Sequence, residues 1–408
     1  MPNGLCFPRC GIYARHSPGD LHAVNETVLP RADYPALADT AYLNQASLGM
    51  MGQPAVMALQ SFVERVGRHG NLFMSDADEV SYYESLREQG ALILGTAARQ
   101  VAILGGASEL FGQLPFLWPV EPDQNIVLLS SDFPAITRPW LRMQQAGGCH
   151  LRFIDDAPDK DLTESLCAAI DSRTAVLAVS YVQYTTGRRI DPARLRAATA
   201  AVGAKLAIDV TQAAGAIPIA ASQWQADVVI SSGYKWLGGH GGVALAMLAP
   251  DLLTLTPASP GWMGATDPFH FEPTRLDLAP DARRFTQSTM SYGSLAALTA
   301  SIQQLLHAGM DRIAAHASGL AQQLVMGLSE SAWRPYIPLS DPSASSHIIS
   351  LGAPGADVVG VVRRLHDERI VCGVRGGRIR VSLAPYNDAT DVERLVRVLR
   401  ESIQRDFV

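Results

Sequence analysis

The chain of 408 residues has no apolar run long enough to cross a membrane, no block of basic residues and no internal repeat. These absences argue against a membrane-spanning protein and a nucleic-acid binder, and a net charge of −6 points the same way. Cysteine is scarce: the five residues Cys6, Cys10, Cys149, Cys167 and Cys372 are odd in number and widely scattered. Such a set suits reduced thiols in a cytoplasm better than a disulfide framework, and Cys6 and Cys10 lack a second pair at zinc-ligand spacing. His-Glu-x-x-His, the Walker lysine loop and Gly-x-Ser-x-Gly are all missing, which weighs against a metalloprotease, a P-loop NTPase and an α/β-hydrolase. The first twenty or so residues hold no sustained apolar stretch, so no secretory signal is expected. What the chain does have is apolar residues, 48% against 18% charged, enough to bury a core divided between a large and a small domain.

One segment concentrates chemistry. Residues 226–242 run from an apolar strand through a hydroxyl-rich turn to Ser232, Tyr234 and Lys235, and then into a glycine cluster. A lysine ending a buried strand beside small residues is placed to form a Schiff base with an aldehyde, and partial desolvation favours its reactive neutral amine. Taken alone, such a lysine is better read as a solvated cap. Upstream, residues 205–209 form a short apolar run ending at Asp209, with Gln212 three residues on. A carboxylate there can hold a pyridine nitrogen protonated, making the ring an electron sink, and Gln212 could bond a phenolic oxygen on that ring. The glycines at 238–242 are expected to let the backbone pass closely under a cofactor.

Further motifs recur in order. Gly105-Gly106-Ala107-Ser108 precedes a helical stretch whose first N–H groups and dipole favour an anion. Residues 131–140 include Phe133, residues 180–187 include Gln183 and Tyr184, and residues 284–289 end at Thr289. Arg375 and Arg380 flank a Gly-Gly pair near the end of the chain.

Together these segments resemble the class V aminotransferase-type proteins, the fold-type I pyridoxal-phosphate group that includes cysteine desulfurases, kynureninase and isopenicillin-N-epimerase-like proteins. The resemblance runs from about residue 42 to the C-terminus. It implies pyridoxal 5′-phosphate as cofactor, Lys235 and Asp209 as the catalytic residues, and Ala107 and Ser108 in the phosphate cradle. Phe133 matches the position that lies over the cofactor ring, where desulfurases usually carry His. Phenylalanine stacks but transfers no proton, so that duty would pass to Lys235. Gln183 or Tyr184 falls near the ring oxygen, and the residues alone do not choose between them. Ser232, Tyr234 and Gln212 complete the cofactor set. Thr289 matches a residue that crosses a dimer interface to the partner's cofactor phosphate, which implies a homodimer. Arg380 matches the arginine that pairs with a substrate α-carboxylate and Arg375 a second arginine nearby; a planar guanidinium fork suits that duty. Desulfurases follow the first of these arginines with a mobile loop bearing a nucleophilic Cys, and that loop is missing here.

The expected fold is α/β: a fold-type I transferase with a mostly parallel sheet in a large domain, residues 55–289, and a small C-terminal α/β domain within residues 290–408. Strands are expected at 125–130, 150–154, 175–179, 206–209 and 228–231, with one or two long helices at 294–328 broken near Gly309. Residues 31–54 are expected to pack with the small domain, and residues 1–30 to form a flexible lead. The implied activity is a cytoplasmic enzyme that labilises a bond at the α-carbon of an amino acid, with no nucleic-acid or membrane partner and no metal. A lyase-type reaction is preferred, C–S β-elimination of a cysteine conjugate or a related deamination. Trp262, Phe269, His270 and Phe271 in a Gly/Pro-rich insertion suggest a bulky, secondary-metabolic substrate. An aminotransferase or epimerase of the same family is the alternative, and a non-catalytic cofactor-binding protein is the alternative of a different class.

Overall fold

Successive side chains of a strand point to opposite faces of a sheet, so a sheet buried on both sides needs two cores. The computed structural model, which describes residues 26–404, has that arrangement. The first strand, β1 (Ala41–Leu43), belongs to a small sheet described below. The large sheet is built from β2 (Val101–Leu104), β3 (Asn125–Leu129), β4 (His150–Ile154), β5 (Thr174–Ser180), β6 (Lys205–Asp209), β7 (Val228–Ser232) and β8 (Ala244–Leu248). Their spatial order is β2-β8-β7-β6-β5-β3-β4, and every neighbouring pair is parallel except the two made by β8. In β5, Leu177 and Val179 enter one core while Val176 and Ala178 enter the other, and β2, β3 and β8 divide the same way. Helices Ala107–Leu117 and Pro134–Gln145 bury Phe111 and Trp140 in one core, and helices Asp76–Leu94 and Tyr292–Ala308 bury Leu86 and Leu298 in the other. This is the mostly parallel sheet covered on both faces that the alternation of short apolar runs and helical patterns implies.

The remaining strands are β9 (Arg334–Pro335), β10 (Ile348–Gly352), β11 (Ile370–Arg375) and β12 (Arg378–Ser382). With β1 they form a five-stranded sheet in the order β1-β11-β12-β10-β9. A third core, with Leu320, Leu324, Val381 and Leu395, lies behind it. Gly376 and Gly377 turn β11 into β12 at φ of 55° and 70°, left-handed values at both positions of a two-residue turn that glycine adopts without strain. The long helical stretch is two helices, Tyr292–Ala308 and Met310–Gly327, divided at Gly309 with φ 87°.

β1 pairs in parallel with β11, so the N-terminal segment is stitched into the sheet formed by the chain's last third. Of the lead expected at 1–30, residues 1–25, with Cys6 and Cys10, lie outside the described residues. Residues 28–30 differ from that expectation. Val28 and Leu29 both donate to the Pro385 carbonyl at 2.9 and 3.0 Å, Leu29 is buried, and Arg31 pairs with Asp388 and Asp391. Among the described residues, no helix is long and apolar enough to cross a membrane.

Candidate active site

Parallel strands deliver their C-terminal ends to one edge of a sheet, where loops can gather around a ligand. Here the ends of β5, β6 and β7 and the turns after β2 and β3 enclose a cavity of about 170 Å³. Its wall carries Lys235, Asp209, Ala107, Ser108, Phe133, Tyr184, Gln212, Ser232 and Tyr234, nine of the residues singled out from the sequence. Gly106, Ala135, Ser180 and Thr211 line it as well.

Lys235 is 7% exposed, and among the described residues its Nζ makes no hydrogen bond or ion pair. The amine instead lies 5.1 Å from the centre of the Phe133 ring and 5.6 Å from that of Tyr234. Burial pushes its pKa down to about 8; the charge of Asp209 opposes the shift, and Arg380 and Arg375 reinforce it. Three donors grip the turn that carries the lysine: Gln45 Nε2 and the Gly238 N–H reach the Lys235 carbonyl at 2.9 and 3.1 Å, and the Gly49 N–H reaches that of Tyr234 at 3.0 Å. A Cβ at Gly49 would stand 2.0 Å from the Lys235 carbonyl oxygen, so only glycine permits this approach. The glycines at 238–242 do not run beneath the cavity as expected. Gly238 and Gly239 pack against Ser301 and Leu298 of helix Tyr292–Ala308, and none of the cluster reaches the cavity wall.

Asp209 is buried and accepts the Thr211 N–H at 2.6 Å. Burial raises its pKa, against the pull of Thr211 and the Lys235 charge. The orientation of the Gln212 amide is settled by its partners. Trp236 Nε1 can only donate, and it bonds Oε1 at 2.8 Å, so Nε2 is the atom that reaches the Ala46 carbonyl at 3.0 Å, with one N–H left over. Helix Ala107–Leu117 begins beside the cavity at Gly106 without a side-chain cap; the Glu109 N–H is taken by the Gly106 carbonyl at 3.0 Å, and those of Ala107 and Ser108 remain available to an anion.

Phe133 stands edge-on to Tyr184 at 5.5 Å. Its backbone N–H is held at 2.8 Å by Asp132, whose carboxylate also accepts the N–H and Oγ–H of Ser180. Burial, with the nearby Asp209 charge adding to it, pushes Asp132 up to about 6. Of the pair left open, Tyr184 reaches the cavity, whereas Gln183 is fully buried, donates to the Ser180 carbonyl at 3.1 Å and leaves its Oε1 without a partner.

Three arginines are almost completely buried. Arg87 meets Glu84 and Asp281, and Arg188 meets Asp156. Arg380, only 1% exposed, meets no acid: Nη1 donates to the Tyr184 carbonyl at 2.7 Å, Nη2 donates to Ser47 Oγ at 2.6 Å, and Nε has no partner. Burial first and Arg375 second lower its pKa to about 10. Gly373 lies opposite it across the β11–β12 pair, and a Cβ there would press on Asn44 and on the guanidinium. Arg375 shares Ser47 Oγ at 3.4 Å. Neither arginine lines the cavity itself; Arg380 joins its wall through Tyr184. Cys372, on β11, packs against the small-domain core, and burial pushes its thiol up to about 12.

Thr289 is exposed and lines no part of this chain's own cavity. Trp262, Phe269 and Phe271 pack on one another with ring centres 5.7 to 6.0 Å apart, and neither they nor His270 reach the cavity. A larger cavity of about 650 Å³ lies around Lys160 and Arg188, but Arg188 and Arg194 on its wall are already paired with Asp156 and Asp161.

The sequence motifs did not disclose Gln45, Ser47, Gly49, Thr211, Gly373 or Asp132. A small-residue run after a three-residue strand is a weak signal, and Asp132 stands beside the more conspicuous Phe133. The assembled donor set fits pyridoxal phosphate: a buried amine without a bonding partner for the aldehyde, a buried carboxylate for the ring nitrogen, an amide N–H for the ring oxygen and an uncapped helix start for the phosphate.

The chain is similar to known proteins over most of its length. The family model described as Aminotransferase class-V matches residues 41–395. A cysteine desulfurase of Enterobacter sp. (strain 638) is 26% identical over 400 residues, covering 91% of this chain and 96% of that protein. A kynureninase of Pseudomonas fluorescens is 27% identical, with 89% of each chain covered. Among solved structures, the cystine C-S lyase C-DES in complex with its product cysteine persulfide superposes with a TM-score of 0.82 at 20% identity, covering 90% of this chain and 99% of that one.

Proposed function

Because the chain belongs to the aminotransferase class-V family, whose members are enzymes that work through pyridoxal 5′-phosphate, we propose that it is a lyase-type enzyme acting on an α-amino acid. The reaction is an elimination, as of a thiol from a cysteine conjugate, or a related deamination. One observation carries this reading: a buried amine without a bonding partner, its pKa brought down to about 8, shares a cavity with the buried carboxylate of Asp209.

When bound there, the cofactor supplies an electron-poor ring that accepts the electron pair of a bond broken at the substrate α-carbon. Asp209 keeps the proton on the ring nitrogen. Lys235 takes and returns the α-proton, and a pKa of about 8 leaves it a neutral fraction near physiological pH. Phe133, on the cavity wall, would cover a face of the bound ring and exclude water without competing for protons. Arg380, without an acid of its own, receives the substrate carboxylate and so fixes which α-bond stands across the ring.

The names of relatives such as the cysteine desulfurase, which describe removal of sulfur from an amino acid, support a lyase. They do not extend to a protein persulfide. The thiol of Cys372 is pushed up to about 12, and Arg375 is followed by the glycine turn instead of a cysteine-bearing loop. The cavity wall lends no support to a bulky, secondary-metabolic substrate: Trp262, Phe269 and Phe271 stack on one another and do not line it. A cytoplasmic homodimer in which Thr289 serves the partner's phosphate remains part of the proposal. The test is an absorbance screen of the holoenzyme with amino acids and cysteine conjugates, followed by product identification. A keto acid released with ammonia or a thiol, and no need for an amino acceptor, supports the lyase. Strict dependence on an added keto acid establishes transamination, racemised substrate establishes epimerisation, and no response to any amino acid leaves a cofactor-binding protein without turnover.

A further inference from the structure

Ser47 Oγ joins two guanidinium groups. It accepts Arg380 Nη2 at 2.6 Å and Arg375 Nη2 at 3.4 Å, and donates to Asn44 Oδ1 at 2.8 Å, which uses its one hydrogen and both lone pairs. The two Nη2 atoms are therefore held within about 6 Å of each other. The hydroxyl that holds them is neutral, and among the described residues neither arginine has a carboxylate partner. Each guanidinium has five N–H donors. Arg380 spends donors on Tyr184 and Ser47, Arg375 spends donors on Val374 and Ser47, and the others remain. The other two buried arginines among the described residues are both neutralised by acids. Two like charges held together without a counter-ion raise the free energy of the ligand-free site, and each is relieved by an arriving anion. One α-carboxylate satisfies one such fork.

We propose that the substrate is an amino acid with a short side chain ending in a second anionic group, its α-carboxylate held by Arg380 and its side-chain anion by Arg375. The inference rests on the amino-acid reading of the site given above. Arg375 suits the distal group because it stands at the end of β11, beside the glycine turn and partly open to solvent, while Arg380 is sealed in. The side chain must be short because Ser47 keeps the two forks close. Ser47 is the positioning residue that sets this spacing.

The test uses the holoenzyme with two acids that lack the reacting amine and two amino acids that carry it. Calorimetric titration with succinate and with propionate compares two anions against one, and L-aspartate and L-asparagine make the same comparison through the cofactor's visible absorbance. Succinate is expected to bind at least tenfold more tightly than propionate, with L-aspartate similarly ahead of L-asparagine. In Arg375→Gln both ratios should fall toward one. Ser47→Ala, which frees the two forks, should reduce them in part. Succinate no tighter than propionate, or a preference that survives Arg375→Gln, overturns the second-anion subsite while leaving the amino-acid reading intact. If no amino acid of either class alters the absorbance, the amino-acid reading itself has failed, and this inference with it.

Discussion

Replacing Lys235 with methionine should stabilise the cofactor-free protein at neutral pH, although it removes the residue on which activity depends. Methionine has similar length and buries no charge. In the folded protein the lysine pKa stands at about 8 against 10.5 for the free side chain. A shift of about 2.5 units corresponds to about 3 kcal/mol charged against the folded state at any pH where both states are protonated. That net shift already contains the attraction of Asp209 for the ammonium, which raises the lysine pKa. The expected gain is therefore about 3 kcal/mol. The sign follows from proton counting: the unfolded chain holds the lysine proton up to 10.5 and the folded chain only to about 8, so wild-type stability rises with pH across that interval. The gap between the proteins should be full below pH 8, shrink between 8 and 10.5, and vanish above. Urea unfolding of the cofactor-free proteins from pH 6 to 11, followed by tryptophan fluorescence, measures it. Equal stability at pH 7, or a gap that persists unchanged at pH 11, would refute the claim that burial of this amine is uncompensated.

Borohydride reduction of the holoenzyme followed by peptide mapping should place the cofactor on Lys235; the chain has only two other lysines, Lys160 and Lys205, and a label on either contradicts the site. Asp209→Asn should retain the cofactor but lose most of its turnover, since an amide cannot hold the ring proton, and turnover near that of the wild type would reject the electron-sink role. Arg380→Ala should raise KM and lower kcat, with roughly a ten- to hundredfold loss in kcat/KM from removing hydrogen bonds between charged groups, whereas Cys372→Ala should remain close to wild type; the reverse pattern would point to a sulfur-carrying mechanism. Mixing Lys235→Ala with Thr289→Ala subunits should restore part of the activity, and a monomer in sedimentation would exclude that complementation.

The strands of the large sheet were legible because burial on both faces leaves continuous apolar runs: the expected 150–154 coincides with β4, and 206–209 falls one residue short of β6. β2 has only four residues and left too little pattern to recognise. The cofactor wall was legible too, because Lys235, Asp209, Gln212 and Phe133 follow strand ends, where local sequence and ligand edge coincide. What stayed hidden came from far along the chain. Gln45 and Gly49 act on the carbonyls of Lys235 and Tyr234, and Ser47 acts on Arg380, 333 positions away; no local pattern announces contacts at such separations. The glycines at 238–242 misled for the related reason that a glycine signals close approach without saying to what.

The segment around residues 26–49 also bears on how the protein is made. It leaves the ribosome long before its partners, for β1 must wait for β11, and Arg31 for Asp391, 360 residues later. The large sheet can fold as it is synthesised, but the grip of Gln45 and Gly49 on the lysine turn depends on a segment whose own anchor is translated after that sheet. Such long-range closure is slow, and it places completion of the reactive amine's surroundings near the end of folding. A nascent or truncated chain would thus hold an amine that is not yet tuned, and would not take up a reactive aldehyde before the molecule is whole.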